Sequence, residues 1–333
     1  MKIVIDGFGG DNAPVAVLKG CELAVKEFDV ELIVTGNRSI IEEEAKKNNI
    51  SLNKIEIVDC ESVLPVCEDP TQILKKYSNS SMAVGLSLLS KGVADAFISA
   101  GSTGGLVMGA SFIVKRIKGI KRAAIATIIP TDKNCYMLID SGANHSCRPE
   151  MLVQFGLMGA IYMEKILKIV NPKVGVLNIG VEESKGTELQ KETVELLKNS
   201  KLNFVGNVEA RDVPFGVADV VVTDGFVGNM VLKYTEGLAK FFSLEIKKIF
   251  NENIFTKLAG AMVYKNFKNF KKKLDYSEFG GAILLGVKKP VIKAHGSSNA
   301  KAIKNAINQA IKMVKNNTVG EIELLLKGKM LEE

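Results

Sequence analysis

The sequence predicts an α/β fold with a parallel or mixed sheet covered by helices. Short β-branched apolar runs recur as far as Thr223, and helical patterns separate them. Several runs, such as VGVLNIG and ADVVVTDG, are apolar at consecutive positions, as strands buried on both faces are. Most of them end in glycine or an acidic residue, the punctuation of a strand-to-helix turn.

Taken in order, the predicted strands are residues 2–6, 31–35, 54–59, 94–99, 123–129, 136–140, 174–179, 204–208 and 217–223. Helical patterns lie between them at 14–27, 39–47, 82–91, 105–116, 150–168 and 184–198. Pro14 and Pro149 stand near helix starts, where a missing N–H costs little. After Thr223 the rhythm changes. Residues 226–273 carry no strand pattern and read as helix, kink and helix. A glycine-rich stretch at 279–286 follows, then KKPVIKAHGSS, then a helix from about Asn299. No linker, repeat or low-complexity tract interrupts the chain. Residues 1–333 therefore read as one α/β domain with a helical excursion at 230–275.

Composition excludes several classes. With 47% apolar and 24% charged residues, the chain is neither disordered nor fibrous. Tryptophan is absent and aromatics make up 6%, which argues against an aromatic platform for nucleic acid. The net charge of +7 suits an acidic partner without requiring one. No apolar run approaches the ~18 residues of a membrane span. The chain opens MKIVIDGFGG, which reads as a strand entering a glycine turn and not as a signal peptide. The five cysteines (Cys21, Cys60, Cys67, Cys135 and Cys147) form no CxxC pair, so free thiols and a cytoplasmic location are expected. Two histidines and no HExxH predict no zinc site, and no cofactor is expected.

Six loops after predicted strands are rich in glycine and short polar residues: 6–14, 99–105, 140–149, 178–188, 206–212 and 223–229. They are expected to converge on one rim of the sheet, where open backbone N–H groups suit a phosphate. Familiar phosphate motifs fail. Residues 7–12 read GFGGDN, with Asn12 where GxGxxG needs its third glycine, and GVEESKGT has the wrong order for a Walker loop. The polar candidates are therefore individual residues. Lys185, between a strand end and a helix, could hold phosphate or be a solvated first-turn lysine. Asp224, after an apolar strand, could be a base or a helix cap. Asn229 lies beyond Gly228, and Asn144 and His145 share a loop with Arg148. Lys293 and His295 fall in KAHGSS; His295 could donate a proton to an anion or be structural. Cys147, two residues from His145, is a poor candidate nucleophile. Lys75 and Lys76 could meet an acidic partner or belong to a solvated loop.

The excursion has its own pattern. Ile254, Phe255, Leu258, Met262 and Val263 stand beside Lys265, Lys268, Lys271, Lys272 and Lys273. Apolar residues next to lysines suit an anionic membrane surface, each lysine adding about 1 kcal/mol. A dimer-interface hairpin with a basic solvent face is the alternative.

These blocks resemble one family. They are D-x-x-GGD-x-AP (6–14), NSSM (79–82), ADA-x-ISAG-x-TG (94–104), RIKGI-x-R (116–122), D-x-GAN (140–144), VG-x-LN-x-G-x-E (174–182), KG-x-E (185–188), F-x-GNVEARD (204–212), VADVVVTDGF-x-GN (217–229) and KKPVIKAHGSS. The chain is similar to the PlsX-type phosphate acyltransferases of bacterial phospholipid synthesis, in order and nearly throughout. The resemblance implies a Rossmann-like α/β/α sandwich with a mostly parallel sheet, related to phosphate acetyltransferases and isocitrate dehydrogenases, plus a protruding helical hairpin. It implies transfer of a long-chain fatty acyl group from acyl-acyl carrier protein to inorganic phosphate, with no metal. It further implies a homodimer held peripherally on the cytoplasmic membrane through the hairpin. There a membrane glycerol-3-phosphate acyltransferase would receive the acyl phosphate. Phe8 stands where the family commonly has methionine, and the basic run before NSSM is reduced to Lys75 and Lys76, the expected carrier contact.

Direct attack of phosphate on the thioester is expected, catalysed by positioning and by oxyanion stabilisation. Phosphate and substrate binding fall to Asp6, Gly10, Asp11, Gly101, Ser102, Thr103, Gly104, Asn144 and Lys293. Lys185 and Asp224 bind and orient or deprotonate phosphate, and Asn229 and His295 attend the oxyanion or the leaving thiolate. Leu258, Met262, Val263, Lys265 and Lys268 are the expected membrane contacts. A coenzyme A-dependent short-chain enzyme and a non-catalytic anion-binding scaffold are the competing readings.

Overall fold

A computed structural model of the chain describes residues 1–132, 134–274 and 280–330, with the side chains of 269, 271–274 and 327–330 left undescribed. Alternation of strand and helix begins with β1 (Lys2–Asp6), α1 (Val15–Glu27), β2 (Glu31–Gly36), α2 (Arg38–Lys47) and β3 (Ile55–Asp59). It continues with α3 (Ser81–Ser90), β4 (Ala96–Ser99), α4 (Thr103–Gly109), β5 (Ala124–Pro130), β6 (Cys135–Ile139), α5 (Pro149–Leu167), β7 (Lys173–Asn178), α6 (Glu188–Lys198), β8 (Asn203–Glu209) and β9 (Val220–Val222). Then come α7 (Gly225–Asn251), α8 (Ile254–Leu274), β10 (Ala282–Leu285), β11 (Val291–Lys293), α9 (Ala300–Lys315) and α10 (Thr318–Met330).

The nine expected strands all form, with small shifts at their ends. Two more come from residues read only as a glycine-rich stretch and a basic loop. Runs as short as AILL and VIK carry no periodicity, and only their neighbours make them strands. They occupy the middle of one eleven-stranded sheet of order β3-β2-β1-β4-β11-β10-β5-β6-β9-β7-β8. Two helix boundaries also move. The pattern at 184–198 starts its helix at Glu188, which leaves Lys185 in the preceding loop. The pattern at 105–116 is α4 followed by a π-helical turn, Ala110–Lys115.

Strand direction overturns the expectation of one rim. β1, β2, β3, β4 and β11 are mutually parallel. β10 is antiparallel to β11 and β5, and β5 is antiparallel to β6. β6, β9, β7 and β8 are parallel to one another, so they run opposite to β1. Loops after β1 and β4 therefore open at one end of the sheet and those after β6 to β9 at the other.

Helices cover both faces, giving an α/β/α sandwich. α3 and α4 pack on one face through Met82, Leu86 and Leu106 over Val4, Phe97, Ile125 and Leu284. α7 lies on the same face, its Val227, Val231 and Leu232 against Ile129, Tyr136 and Leu138. α1, α5 and α9 bury the other face around Ile3, Ile98, Phe155 and Ile303. α7 and α8 form a hairpin in which the Phe250 and Phe267 rings meet edge-on at 6.4 Å. Its outer surface is apolar: Phe255 is 79% and Met262 87% exposed. Among the described residues no helix is long and apolar enough to cross a membrane.

Candidate active site

β1 delivers Asp6 to the buried end of its strand, where a carboxylate requires hydrogen-bond donors. Ser81 Oγ donates to Oδ1 at 2.6 Å and Ser99 Oγ to Oδ2 at 2.7 Å, and the Phe8 N–H adds a longer bond of 3.3 Å. Burial pushes the Asp6 carboxyl above its ordinary value, against these donors and the Lys293 charge. Because β11 is parallel to β4, Lys293 sits in register with Ser99. Its Nζ donates to the carbonyls of Ala294 at 2.6 Å and Ala100 at 3.3 Å. Burial pulls this ammonium down to about 8; Asp6 opposes the shift and Lys233 adds to it.

Two loops are stitched together beside this pair. The Asp11 N–H donates to the Gly296 carbonyl at 2.8 Å, and Asn12 Nδ2 reaches the Ser297 and Ser298 carbonyls. Gly10 has φ +96°, and a Cβ there would stand 2.7 Å from the Gly296 oxygen, so only glycine lets the loops meet. The Ser297 N–H donates to His295 Nδ1 at 3.2 Å, which leaves Nε2 to carry the ring proton. Burial, the largest influence, lowers the His295 pKa from its usual value, so the ring is neutral at pH 7.

A second cluster forms at the opposite strand end. Asp140 is fully buried and accepts from the N–H groups of Ile125, Gly142, Ala143 and Asn144 at 2.7–3.1 Å. Burial raises its pKa, opposed by those bonds. Asn144 Nδ2 donates to Asp140 Oδ2 and to the Ala123 carbonyl, so this amide holds the loop in shape and is not free for phosphate. Asp224 caps α7: its Oδ1 accepts from the Phe226 and Val227 N–H groups. A Cβ on Gly228 would run into the Asp140 carbonyl, so α7 packs directly on this loop. Asn229 follows, exposed, with Oδ1 3.4 Å from where a Gly142 side chain would begin.

α7 joins the two ends. It begins at the second cluster, and about 12 Å along its axis Lys233 lies beside His295. Lys233, Glu236, His295 and Ser297 line one pocket with Ile129 and Pro130. Across the sheet face, the flank of α4 lines another pocket with Gly142, Asn144 and His145. The two pockets thus collect residues from both ends of the sheet.

The expected residues fall into three groups. Asp6, Gly10, Asp11, Gly101, Lys293 and His295 come together. Asn144, Asp224 and Asn229 come together at the other end. Ser102 caps α4 by accepting from the Gly105 N–H, while Thr103 and Gly104 line the α4 pocket. Lys185 joins neither group; it is exposed, packs over Gly180 and makes no ion pair among the described residues. Lys75 and Lys76 are exposed, and Lys76 is paired with Glu68 at 3.7 Å. Leu258, Met262, Val263, Lys265 and Lys268 lie on the outside of the hairpin, and the side chains of Lys271, Lys272 and Lys273 lie outside the described residues. Ser81, Ser99, Asp140 and Lys233 were not among the expected site residues. Asp140 had a readable signal, an acid at a strand end followed by Ser-Gly-Ala-Asn, the pattern of a side-chain-closed turn. Among the described residues no cluster of His, Cys, Asp and Glu could hold a metal.

Comparison with known proteins gives the family and the fold. Residues 1–320 match the family model described as "Fatty acid synthesis protein". The chain is 50% identical over 322 residues to a phosphate acyltransferase of Alkaliphilus oremlandii, covering 97% of this chain and 96% of that one. It is 48% identical over 323 residues to a phosphate acyltransferase of Clostridium kluyveri, covering 97% of each. The chain belongs to the PlsX-type phosphate acyltransferase family. It is therefore an acyltransferase of fatty acid and phospholipid synthesis. Solved phosphotransacetylases share the fold of this acyltransferase at low identity. The Streptococcus pyogenes enzyme superposes with TM-score 0.63 at 18% identity, covering 96% of this chain and 94% of that one. EutD phosphotransacetylase from Staphylococcus aureus gives 0.60 at 17%, covering 95% and 94%.

Proposed function

We propose that this acyltransferase moves a long-chain fatty acyl group from the thioester of acyl carrier protein to inorganic phosphate, by direct attack. The observation that carries this reading is the pair Lys293 and His295 at the end of β11, beside the open backbone of residues 9–11 and 100–104. Lys293 holds the phosphate dianion as a point charge, and the glycine backbone approaches its oxygens. A phosphate oxygen attacks the thioester carbon and the C–S bond breaks. The departing sulfur takes up the proton lost from phosphate, while the neutral His295 donates a hydrogen bond from Nε2 to that sulfur as its charge grows. Acyl phosphate and free thiol result. The Asn229 amide faces the developing oxyanion, and such donors act where charge grows. Asp224, capping α7 at the other strand end, positions Asn229, and Lys185 lies away from this phosphate.

The hairpin serves delivery. Its exposed Leu258, Met262 and Val263, flanked by Lys265 and Lys268, rest on an anionic membrane surface. A homodimer there passes the labile acyl phosphate to a membrane glycerol-3-phosphate acyltransferase. The decisive experiment is mass-spectrometric detection of acyl phosphate from palmitoyl-carrier protein and phosphate, with coenzyme A thioester in parallel. Acyl phosphate from the carrier thioester supports the reading. Its formation from the coenzyme A thioester alone, or no free thiol at all, overturns it.

A further inference from the structure

A cavity of about 430 Å³ runs along the flank of α4, and the proposed chemistry leaves it unassigned. One wall is Gly104, Val107, Met108 and Phe112; the other is the 142–145 loop. Arg116 and Arg122 stand at it with His145, and none of the described residues lining it is a carboxylate. The volume falls in the range that encloses an organic ligand and exceeds what one small anion needs. Its chemistry is mixed: an apolar wall, polar backbone and two guanidinium groups.

The loop that carries the arginines is held in place. Gln154 on α5 accepts from the Lys121 N–H at 2.9 Å and donates to the Gly119 carbonyl at 2.9 Å. The Ile117 N–H donates to the Gly286 carbonyl, and the Lys288 N–H to the Lys115 carbonyl. Arg116 gives one N–H to the Lys121 carbonyl, which fixes its planar head. Arg122 is exposed and makes no hydrogen bond or ion pair among the described residues. Its charge is felt at Cys147, beside Asn144. An exposed arginine without an anionic partner, next to an apolar slot, is suited to a phosphate ester.

We infer that this cavity receives the thiol arm of the acyl donor, with Arg122 and Arg116 binding the phosphodiester that ends that arm. The inference rests on the proposed thioester substrate and names where its arm lies. The amide-bearing arm packs along Val107, Met108 and Phe112. Its sulfur end reaches Thr103 and Gly104, next to the backbone at which phosphate is placed. The turn that ends at Lys75 and Lys76 begins with Pro70, another lining residue, so an acidic carrier attached to the arm would meet those lysines at the cavity rim.

The test uses the intact protein and two probes, phosphopantetheine and pantetheine, in titration calorimetry. Phosphopantetheine should bind at least about tenfold tighter, since a bidentate arginine–phosphate contact is strong. Arg122→Gln should abolish that preference and Arg122→Lys should keep part of it. In steady state, Arg122→Gln and Arg116→Gln should raise KM for the carrier thioester about tenfold and leave KM for phosphate within about twofold. An equal penalty on acyl-coenzyme A supports the same phosphate-ester site serving either donor; a penalty on the carrier alone assigns it to the carrier arm. Equal binding of the two probes to the wild-type protein overturns the inference, as does a raised phosphate KM in place of the thioester KM. If the protein binds phosphopantetheine preferentially but releases no thiol, the acyl-transfer reading fails and the site stands.

Discussion

Ser99 Oγ donates to Asp6 Oδ2 at 2.7 Å across 93 residues of sequence, and the same hydroxyl accepts the Gly101 N–H at 3.0 Å. One serine thus ties the end of β1 to the loop after β4. Lys293, in register with that serine, is presented to the same point. The proposed phosphate site is therefore assembled by a buried carboxylate that need not touch phosphate itself.

Asp6→Ala should destabilise the fold by about 2–4 kcal/mol, because the Ser81 and Ser99 hydroxyls lose their acceptor inside the protein. Chemical denaturation measures this. A loss below about 0.5 kcal/mol with an unchanged phosphate KM would contradict the role given to Asp6.

Phosphate affinity should fall as pH rises through about 8, where Lys293 loses its proton. The folded pKa lies below the ordinary lysine value, so burying the charged form costs stability below pH 8. That cost is relieved as pH climbs towards about 10.4. Lys293→Gln should weaken phosphate binding at pH 7 and remove this alkaline limb. A limb that survives in the variant assigns it to another group.

Gly228→Ala should displace α7 from the 140–144 loop, since the added methyl meets the Asp140 carbonyl. Overpacking of this kind costs about 1–3 kcal/mol. Because Asn229 is the next residue, kcat should drop more than stability does. Wild-type turnover in a stable Gly228→Ala protein would detach Asn229 from the chemistry.

Cys147→Ala should retain activity within about twofold, as expected where no covalent step passes through the residue. Burial raises this thiol to about 12, so it is not a thiolate at neutral pH. Abolished turnover, or an acyl group found on Cys147 by mass spectrometry, would replace direct attack by a covalent route.

Leu258→Glu with Met262→Glu should release the protein from anionic vesicles while carrier thioester in solution is still consumed. Both residues are exposed on the hairpin, so the fold should tolerate the change. Vesicle co-sedimentation reads the result; undiminished binding of the double variant would refute hairpin anchoring.

The sequence by itself determined the α/β class, the nine strands with long apolar runs and the identity of most polar candidates. These are local signals: periodicity, strand-end glycines and N-cap residues act over a few positions. It also carried the family resemblance, block by block. Packing alone places β10 and β11 in the middle of the sheet, because runs as short as AILL and VIK form strands only with neighbours on both sides. The antiparallel pairing of β5 with β6 reverses the sheet and sends the loops after β4 and β6 to opposite ends. α7 then brings Asn229 and Lys233 to both. Which carboxylate is buried, which lysine is desolvated and which arginine is left without a partner are properties of packing between distant segments. No stretch of sequence contains them, because each depends on water excluded by residues far along the chain.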